Sequence, residues 1–550
     1  MKSSILKQFA VVAIACVAAV SCKDNDIVYD TDFKDKALRT VNFAAPIAKV
    51  HIPIYKSIEK WMDLDGLSYD EKTGIIQVSF THTQNVDWTN DIGVDELNKR
   101  FEYPLPSFPQ IPGIGPLPGT YSWTKEGLEK ITLTTNEADN DTRIDAVTFK
   151  NGQLDFDIAL PSSLTGKLVI EIPELTTNGV PFKIEKDLVS GNNPISNSLS
   201  NGRIETANSQ ITINYAITVT YSGATLPAGK VVLDVRLDIN GDDLTGMFGY
   251  FGKIETEAED NDVSFDFFEN LDLKQDIGLK DITIKADIIN NVGLPMALEV
   301  ESIKMYKDDT DLGKALTVTP EFKFDNVASA LYENGQVTSV TTHKEVTADI
   351  AFSGGNYPNK LRFEITGKGN PNGVTATSNF LVKSDKNLVD VNLEILVPLH
   401  FKTGLYERQD TIGFDFNEMI DDDVNMSKSI EEVVLNLDIN NGLPFEIELS
   451  GEAIDDNGKN IVTLIPIQKI NSGTPDVASG KVTPAHTNFE VKIEQAQIEL
   501  LRSKGAKKII LITKSATYNE GNDYVKIHHD AALDVDVSLS FTSNIPSSIF

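Results

Sequence analysis

Apolar and polar residues alternate in several long segments of this chain, and this alternation limits the fold more than any other feature. Every second residue from Ile211 to Tyr221 is apolar, and most of the residues between them are polar. The same period of two recurs at 154–158, 233–239 and 533–541. This period is typical of strands with one packed face and one wet face, as in antiparallel sheets. The sequence therefore predicts an all-β fold of tandem antiparallel β-sandwich modules.

A few short helices complete this prediction. We expect them at 57–64, 94–101 and 493–504. The last is the clearest, because Ala496, Leu500 and Leu501 share one side and Gly505 is a stop signal.

One short pattern occurs three times in the chain. The segment 178–185 reappears at 441–448, and 291–299 is a looser copy. Each copy combines an Asn-Gly-type turn with a Pro that can begin the next strand, where no ladder N–H is needed. The pattern predicts a β-corner that is reused in three sandwich modules. It resembles the strand–Asn–Pro–strand corner of late-embryogenesis-abundant type β-sandwiches.

Turn-rich stretches divide the body of the chain. Gly, Asn, Ser and Pro gather at 190–203, and a second break is expected between 320 and 336. We therefore predict a β-rich domain at 41–190 and sandwich modules at 191–330 and 331–550.

The chain of 550 residues is strongly acidic, with 81 Asp and Glu against 49 Lys and Arg, and a net charge of −32. Its hydrophobic content of 41% is too high for a disordered chain. Phosphate binding requires Lys and Arg, so no nucleic acid is expected as a partner. We expect much of the negative charge on the wet faces of strands.

The N-terminus predicts a location. Lys2 and Lys7 precede an apolar run of twelve residues at 9–20, which is too short to span a membrane but has the length of a signal-peptide core. The run ends in Ala19-Val20-Ser21-Cys22, which resembles a bacterial lipobox. This resemblance implies a signal peptide at 1–21 and an outer-membrane anchor on lipidated Cys22. The alternative is an ordinary secretory signal with an incidental Cys.

The residues after Cys22 indicate on which side of the outer membrane the protein is displayed. Lys23, Asp24, Asn25 and Asp26 resemble the surface-export signal of lipoproteins in the phylum Bacteroidetes. The alternative is a solvated acidic tether, which we place at 22–40. With features such as Gly246–Gly252 and Asp410–Asp415, the whole chain resembles uncharacterised outer-membrane lipoproteins of that phylum. The resemblance implies a surface-exposed lipoprotein, or one on the periplasmic face, and supplies no activity.

One segment differs in composition from the rest. Residues 103–119 hold six of the 23 prolines and no charged residue, so a stiff apolar loop is predicted. Trp61, Trp88 and Trp123 belong to the same predicted domain. These three residues, with Phe108, Ile111 and Ile114 of the loop, are the candidate contact or ligand residues. The alternative is a loop that folds over its own domain.

Catalytic and metal motifs are absent from the sequence. It contains no HExxH, GxSxG or GxxxxGK[ST] pattern. His528-His529-Asp530 is the densest histidine group, but neighbours in a strand face opposite sides, so no metal site is predicted there. Acidic clusters such as Asp238–Asp243 could ligate Ca²⁺, but none matches an EF-hand loop, and no cofactor is predicted.

Three functions remain compatible with these features. The first is a non-catalytic, lipid-anchored outer-membrane protein that acts as a structural or interaction component of the envelope, with an envelope protein as partner. The second is a surface glycan-binding lipoprotein. The third is a carrier of a lipid or another apolar ligand.

Overall fold

The computed structural model describes residues 38–62, 66–86, 94–108, 110–111, 115–116, 119–134, 142–222, 225–255, 259–264, 276–353, 355–373, 378–413, 430–455 and 457–546. Of the described residues, 70% lie in strands and 4% in helices, and the strands form antiparallel sheets. The predicted all-β class is therefore confirmed. No helix in these ranges is long and apolar enough to cross a membrane. The predicted signal peptide 1–21, Cys22 and all of the tether 22–40 except its last three residues lie outside them.

The elements have the following bounds in chain order. The first are β1 (Leu38–Pro53), α1 (Ile54–Met62), β2 (Leu67–Tyr69) and β3 (Ile76–Val86). The second group is β4 (Leu97–Pro104), β5 (Gln110–Ile111), β6 (Gly115–Pro116), β7 (Tyr121–Thr132), β8 (Arg143–Leu160), β9 (Leu164–Thr177), β10 (Val180–Leu188), β11 (Gly191–Glu205), β12 (Gln210–Tyr221), β13 (Lys230–Asp238), a 3₁₀ turn (Gly241–Asp243) and β14 (Leu244–Tyr250).

The third group is β15 (Ile254–Glu255), β16 (Glu259–Ser264), β17 (Ile277–Asn290), β18 (Met296–Lys307), β19 (Thr310–Ala315), β20 (Val318–Thr319), β21 (Lys323–Val327), β22 (Leu331–Glu333), β23 (Gln336–Thr338), β24 (Val340–Phe352), β25 (Lys360–Gly369), β26 (Asn379–Val382), β27 (Val389–Pro398) and β28 (His400–Thr403). The last group is β29 (Tyr406–Gly413), β30 (Ile430–Asn441), β31 (Phe445–Ile454), β32 (Asn460–Ile470), β33 (Thr474–Pro475), β34 (Val482–Thr483), β35 (Ala485–Glu494), α2 (Gln495–Ser503), β36 (Lys508–Thr517), β37 (Val525–Lys526) and β38 (Ala532–Pro546).

Two of the three predicted helices are present and one is a strand. Helix α1 overlaps the predicted 57–64, and α2 lies within the predicted 493–504. The predicted helix at 94–101 is wrong, because Leu97–Pro104 forms β4, which pairs with β13 along its whole length. Pairing with a strand more than 120 residues away in the chain overrides the local spacing of apolar residues.

Three hydrophobic cores define three modules. The inner module, residues 94–250, has a core that runs from Val94 to Leu244. The middle module consists of β2, β3, β15–β25, β27, β28 and β37, and its core includes side chains of β3, β17 and β27. The short strand β26 pairs with β14 at the edge of the inner sheet. The outer module consists of β1, β29–β36, α2 and β38, and its core includes Ile52 of β1 and side chains of β30 and β38.

The modules are nested in the chain rather than placed one after another. The inner module lies between β3 and β16, which both belong to the middle module. The middle module in turn lies between β1 and β29 of the outer module, apart from its short strand β37, which lies between β36 and β38. The predicted boundary at 190/191 falls between β10 and β11, and β11 pairs with β8 of the same sheet. The boundary at 330/331 falls inside the middle module. The boundaries of the modules are therefore set by pairing between strands that are distant in the chain, and not by the turn-rich stretches.

The middle and outer modules share one strand arrangement. The outer module pairs its strands in the orders β1-β38-β30-β35 and β29-β36-β31-β32. The middle module has the orders β3-β27-β17-β24 and β16-β25-β18-β21. Each strand of one module has a counterpart at the same place in the other. The two are therefore copies of one sandwich topology.

The repeated sequence pattern lies at an equivalent corner in these two modules only. It joins β17 to β18 in the middle module and β30 to β31 in the outer module. The copy at 178–185 is instead a tight hairpin between β9 and β10 of the inner module. The corner is thus shared by two modules, not by the predicted three.

Candidate functional site

An open groove lies on the outer face of the inner module. It has a volume of about 530 Å³ and crosses four adjacent strands, β4, β13, β8 and β11. Its lining is Asn98, Lys99, Arg100, Asp155, Phe156, Asp157, Pro194, Ile195, Ser196, Asp234, Val235 and Arg236.

The alternation of the strands produces this charged face. Phe156 of β8 and Val235 of β13 point into the core, where they are 1% and 3% exposed. Their neighbours Asp157, Asp234 and Arg236 therefore point to the other face. The same pattern that builds the core thus places the charged side chains together.

Two rows of side chains cross the groove. One row runs from Arg100 through Asp234 and Asp157 to Pro194, and the second from Asn98 through Arg236 and Asp155 to Ser196. The carboxylate of Asp155 accepts hydrogen bonds from Ser196 Oγ at 2.6 Å and Gln153 Nε2 at 2.7 Å. The carboxylate of Asp155 therefore already has hydrogen-bond donors within the protein.

Asp157 and Asp234 lie directly opposite each other on β8 and β13. Like charges at such a position repel. Asp234 has a partner in Arg100, whose Nη1 lies 3.4 Å from Asp234 Oδ2. The Oδ1 atom of Asp157 is buried and has no hydrogen-bond partner among the described residues. A buried acceptor without a partner is costly, so a ligand that donates a hydrogen bond or brings positive charge would relieve it.

Arg236 is committed to another carboxylate at the end of the groove. Its Nε donates to Glu96 Oε1 at 2.5 Å. Hydrogen bonds from Asn98 and from Arg236 hold the pKa of Glu96 below its usual range. Among the described residues, Arg236 therefore gives Asp157 no hydrogen bond, and Asp157 Oδ1 stays without a partner.

Phe108 and Trp123, the predicted contact residues whose side chains the structure describes, do not line this groove. The Phe108 ring contacts the Tyr221 ring at a centroid distance of 5.4 Å, and Trp123 packs against the inner core. Both side chains therefore pack within their own module. The side chains of Trp61 and Ile111, with all of Trp88, Ile114 and the export-like residues Lys23–Asp26, lie outside the described residues.

Sequence reasoning missed the groove for a specific reason. The alternation identified Asp155, Asp157, Asp234 and Arg236 as wet-face residues. It could not show that β8 and β13 are neighbours, because their paired residues are about 80 positions apart in the chain. Only this pairing brings Asp157 next to Asp234.

The histidine group differs from its prediction. The segment between β37 and β38 is a turn rather than a strand. The expectation that His528 and His529 face opposite sides is therefore wrong, because one ligand atom from each of His528, His529 and Asp530 lies within 4.8 Å of the others.

Two apolar cavities lie inside the modules. One of about 10 Å³ is lined by inner-module residues such as Leu97 and Ile213, and one of about 40 Å³ by middle-module residues such as Phe80 and Met305. A single water requires about 10–15 Å³, whereas small-molecule sites measure about 300–1,000 Å³. Neither cavity has room for an acyl chain.

No protein-family model matches this sequence, and no curated protein matches it. Among solved structures, a protein of Parabacteroides distasonis described as secreted is similar at 12% identity over 54% of this chain and 88% of its own, with a TM-score of 0.25. The structure of the Gx strain of infectious bursal disease virus aligns at 10% identity over 74% of both chains, with a TM-score of 0.14. At these scores neither likeness bears on fold or function.

Proposed function

We propose that this protein is a non-catalytic lipoprotein, anchored in the outer membrane through Cys22, that presents its inner module to a partner at the cell surface. The proposal rests on one observation above all, the nesting of the modules. The strand that follows the predicted anchor, β1, belongs to the outer module, and the inner module is enclosed most deeply in the chain order.

The length of the tether supports this arrangement. Residues 23–37 separate Cys22 from Leu38, the first residue of β1. A chain spans at most about 3.3–3.6 Å per residue, so this tether reaches about 50 Å. The outer module therefore stays near the bilayer, and the inner module is joined to it only through the middle module.

The groove supports the inner module as the contact module. It is open to solvent, Asp157 Oδ1 has no hydrogen-bond partner among the described residues, and both arginines of the groove are held in ion pairs. Fixed polar groups of this kind orient a partner, and an unpaired carboxylate selects one that donates hydrogen bonds.

Site-specific photocrosslinking in intact cells tests this function. A photoreactive residue at Asn98, which lines the groove in register with Arg236, should yield a discrete adduct. The same residue at Asn488, exposed on β35 of the outer module, is the matched control and should yield none. Equal adducts at both positions, or none at Asn98, would contradict the proposal.

The anchor needs a test of its own. Metabolic labelling with an alkyne fatty acid should label the wild-type protein, and Cys22→Ala should abolish the label and release the protein from the membrane fraction. Protease shaving of intact cells then distinguishes the surface from the periplasmic face.

A glycan is the second candidate partner, and the composition of the groove favours it. Carboxylate and guanidinium groups on a rigid sheet can bind sugar hydroxyls by paired hydrogen bonds. On a glycan array, Asp157→Asn should abolish a signal that the wild type and Asp438→Asn, a control on β30, both give. If the wild type binds no glycan, this candidate fails. The lipid-carrier hypothesis gains no support from the two small apolar cavities.

A further inference from the structure

Three consecutive residues form a compact cluster of metal ligands outside the groove. Nδ1 of His528 and Nδ1 of His529 lie 3.3 Å apart. The carboxylate of Asp530 contacts the same nitrogen of His528. His528 is buried, His529 is half-buried and Asp530 is exposed, so the cluster is built into the fold yet open to solvent on one side.

Backbone contacts fix this turn. The amide of His529 donates to Gly74 O at 2.9 Å, and the amide of Ala531 donates to His528 O at 3.1 Å. Gly74 belongs to the turn between β2 and β3, which Asp70 holds by accepting the amide protons of Lys72 and Thr73. The two turns are therefore fixed against each other.

Each imidazole ring is also held in place. A Cβ on Gly74 would lie 2.1 Å from His528 Nε2, so this edge of the ring packs directly on the glycine. The opposite edge, with Nδ1, faces His529 and Asp530. The His529 ring lies against Tyr69, with centroids 4.3 Å apart and an angle of 34° between the planes. Rings held in this way keep their nitrogens directed at one point without a ligand.

Protons alone do not satisfy this arrangement. A hydrogen on His528 Nδ1 can be donated to Asp530 or to His529, but one hydrogen cannot fully serve both. The backbone amide of Asp530 lies 3.5 Å from the same nitrogen, at the outer limit of a hydrogen bond. A cation at the meeting point of the three groups would satisfy both nitrogens and the carboxylate together.

We propose that His528, His529 and Asp530 bind a divalent transition-metal ion of the Zn²⁺ type. Two imidazole nitrogens and one carboxylate oxygen suit Zn²⁺ and its neighbours, whereas Ca²⁺ and Mg²⁺ prefer oxygen ligands alone. In a tetrahedral site with Zn–N bonds of about 2.0–2.1 Å, two ligand atoms are about 3.3 Å apart. The separation of the two Nδ1 atoms matches this value.

The position of the site gives the metal a structural consequence. Residues 525–532 carry the chain from β37 of the middle module to β38 of the outer module. Another crossing between these modules passes through α1, where the amide of Ile54 donates to Ala531 O at 2.9 Å and Tyr55 meets Tyr69 edge-on. A bound ion therefore fixes the junction between the middle and outer modules.

Co²⁺ binding to the full-length protein in detergent tests this proposal. After treatment with a chelator and dialysis, the protein should bind one Co²⁺ with the visible absorption bands of a tetrahedral site, and Zn²⁺ should displace it. Loss of an outer-shell partner alone costs about 10–100-fold in metal affinity, so loss of a ligand in His529→Ala or Asp530→Asn should cost at least about tenfold. Zn²⁺ should also raise the thermal midpoint of the wild type and not of these variants.

His343→Ala is the matched control, because His343 is exposed and pairs with the single acid Asp287, with Nδ1 2.8 Å from Oδ1. It should bind Co²⁺ like the wild type. Asp530 is exposed, so Asp530→Asn decides the outcome even if His529→Ala fails to fold. Equal Co²⁺ affinity in the wild type and Asp530→Asn, or an equal loss in His343→Ala, would overturn the proposal.

Discussion

Asn290 and Asn441 show how one buried amide fixes a β-corner. Both are 0% exposed. Each accepts a hydrogen bond from the amide two residues later, on Val292 or Leu443, and donates to the carbonyl four residues later, on Leu294 or Phe445. Each also donates to a neighbouring loop, at Ala328 O or Asn471 O, both at 2.9 Å. Three backbone groups thus depend on each side chain.

Asn441→Ala should lower the free energy of unfolding of its module by about 2–4 kcal/mol, because several buried backbone groups lose their partners at about 1–3 kcal/mol each. Asn178→Ala is the control, since Asn178 is exposed in a hairpin and adopts φ +48°. Its cost should be about 1 kcal/mol, from the left-handed backbone and from the exposed hydrogen bond that its Oδ1 accepts from Asn201. Urea unfolding measures both, and equal losses would contradict this role for Asn441.

The sequence located this corner only in part. Its pattern aligned Asn291 with Asn441, but the structure gives that place to Asn290, because the Pro lies five residues after the buried Asn in the middle corner and three residues after it in the outer corner. The pattern also included Asn178, since a hairpin turn and a corner both favour Asn next to Gly. Burial distinguishes the Asn residues of the corners from Asn178 of the hairpin. The burial of a residue depends on which strands pack against it.

A second residue-scale prediction concerns acid. Arg362 donates to both oxygens of Asp262, at 2.7 and 2.9 Å, and so joins β25 to β16. The hydrogen bonds and positive charge of Arg362, with Lys360, lower the pKa of Asp262 below its usual 3.8. A lowered pKa in the folded state adds stability above the pKa of the unfolded state, and this stability is lost as the pH falls through the folded pKa.

Asp262→Asn should therefore lower the free energy of unfolding by about 1 kcal/mol at pH 7, with little difference from the wild type near pH 2. Thermal melts from pH 7 to pH 2 would measure this. A difference that stays constant over the whole range would show that the charge of Asp262 contributes nothing.

At the scale of elements, β1 illustrates what alternation can and cannot predict. Alternation predicted β12 and β13 closely and identified parts of β8 and β38. It does not give partners, and β1 pairs with β38 from Leu38 opposite Pro546 to Pro53 opposite Ala532. Few local signals report a contact between residues about 500 positions apart. The charged groove was missed for the same reason, since it arises where β8 meets β13.

Deletion of 38–53 should loosen the outer module alone. β38 lies between β1 and β30, so without β1 its outer N–H and C=O groups lose their partners and its edge is exposed. Hydrogen exchange by mass spectrometry should show at least about tenfold faster exchange in β38 and β30, because unpaired strands open locally. Exchange in β8 and β9 of the inner module should be unchanged. Faster exchange in all modules would contradict the separation of their cores.

At the scale of the whole molecule, nesting makes the three modules unequal. The inner module is one continuous segment with its own core, although β14 also pairs with β26 and Phe248 contacts Tyr332 at 5.2 Å. The outer module closes only when the first described strand meets the last. The middle and outer modules also share side chains, since Ile54 and Phe445 pack against both cores. Independent folding is therefore expected of the inner module alone.

The fragment 94–250 should unfold in urea as one cooperative unit. It contains a single tryptophan, Trp123, which packs partly buried against the inner core and so reports on that core by fluorescence. The fragment 406–546 is the contrasting control. It has most strands of the outer module but lacks β1 and the contribution of Ile52 to the core, so its β38 edge stays open. It should show no cooperative transition in circular dichroism. Cooperative unfolding of 406–546, or none in 94–250, would show that the modules do not follow the nesting of the chain.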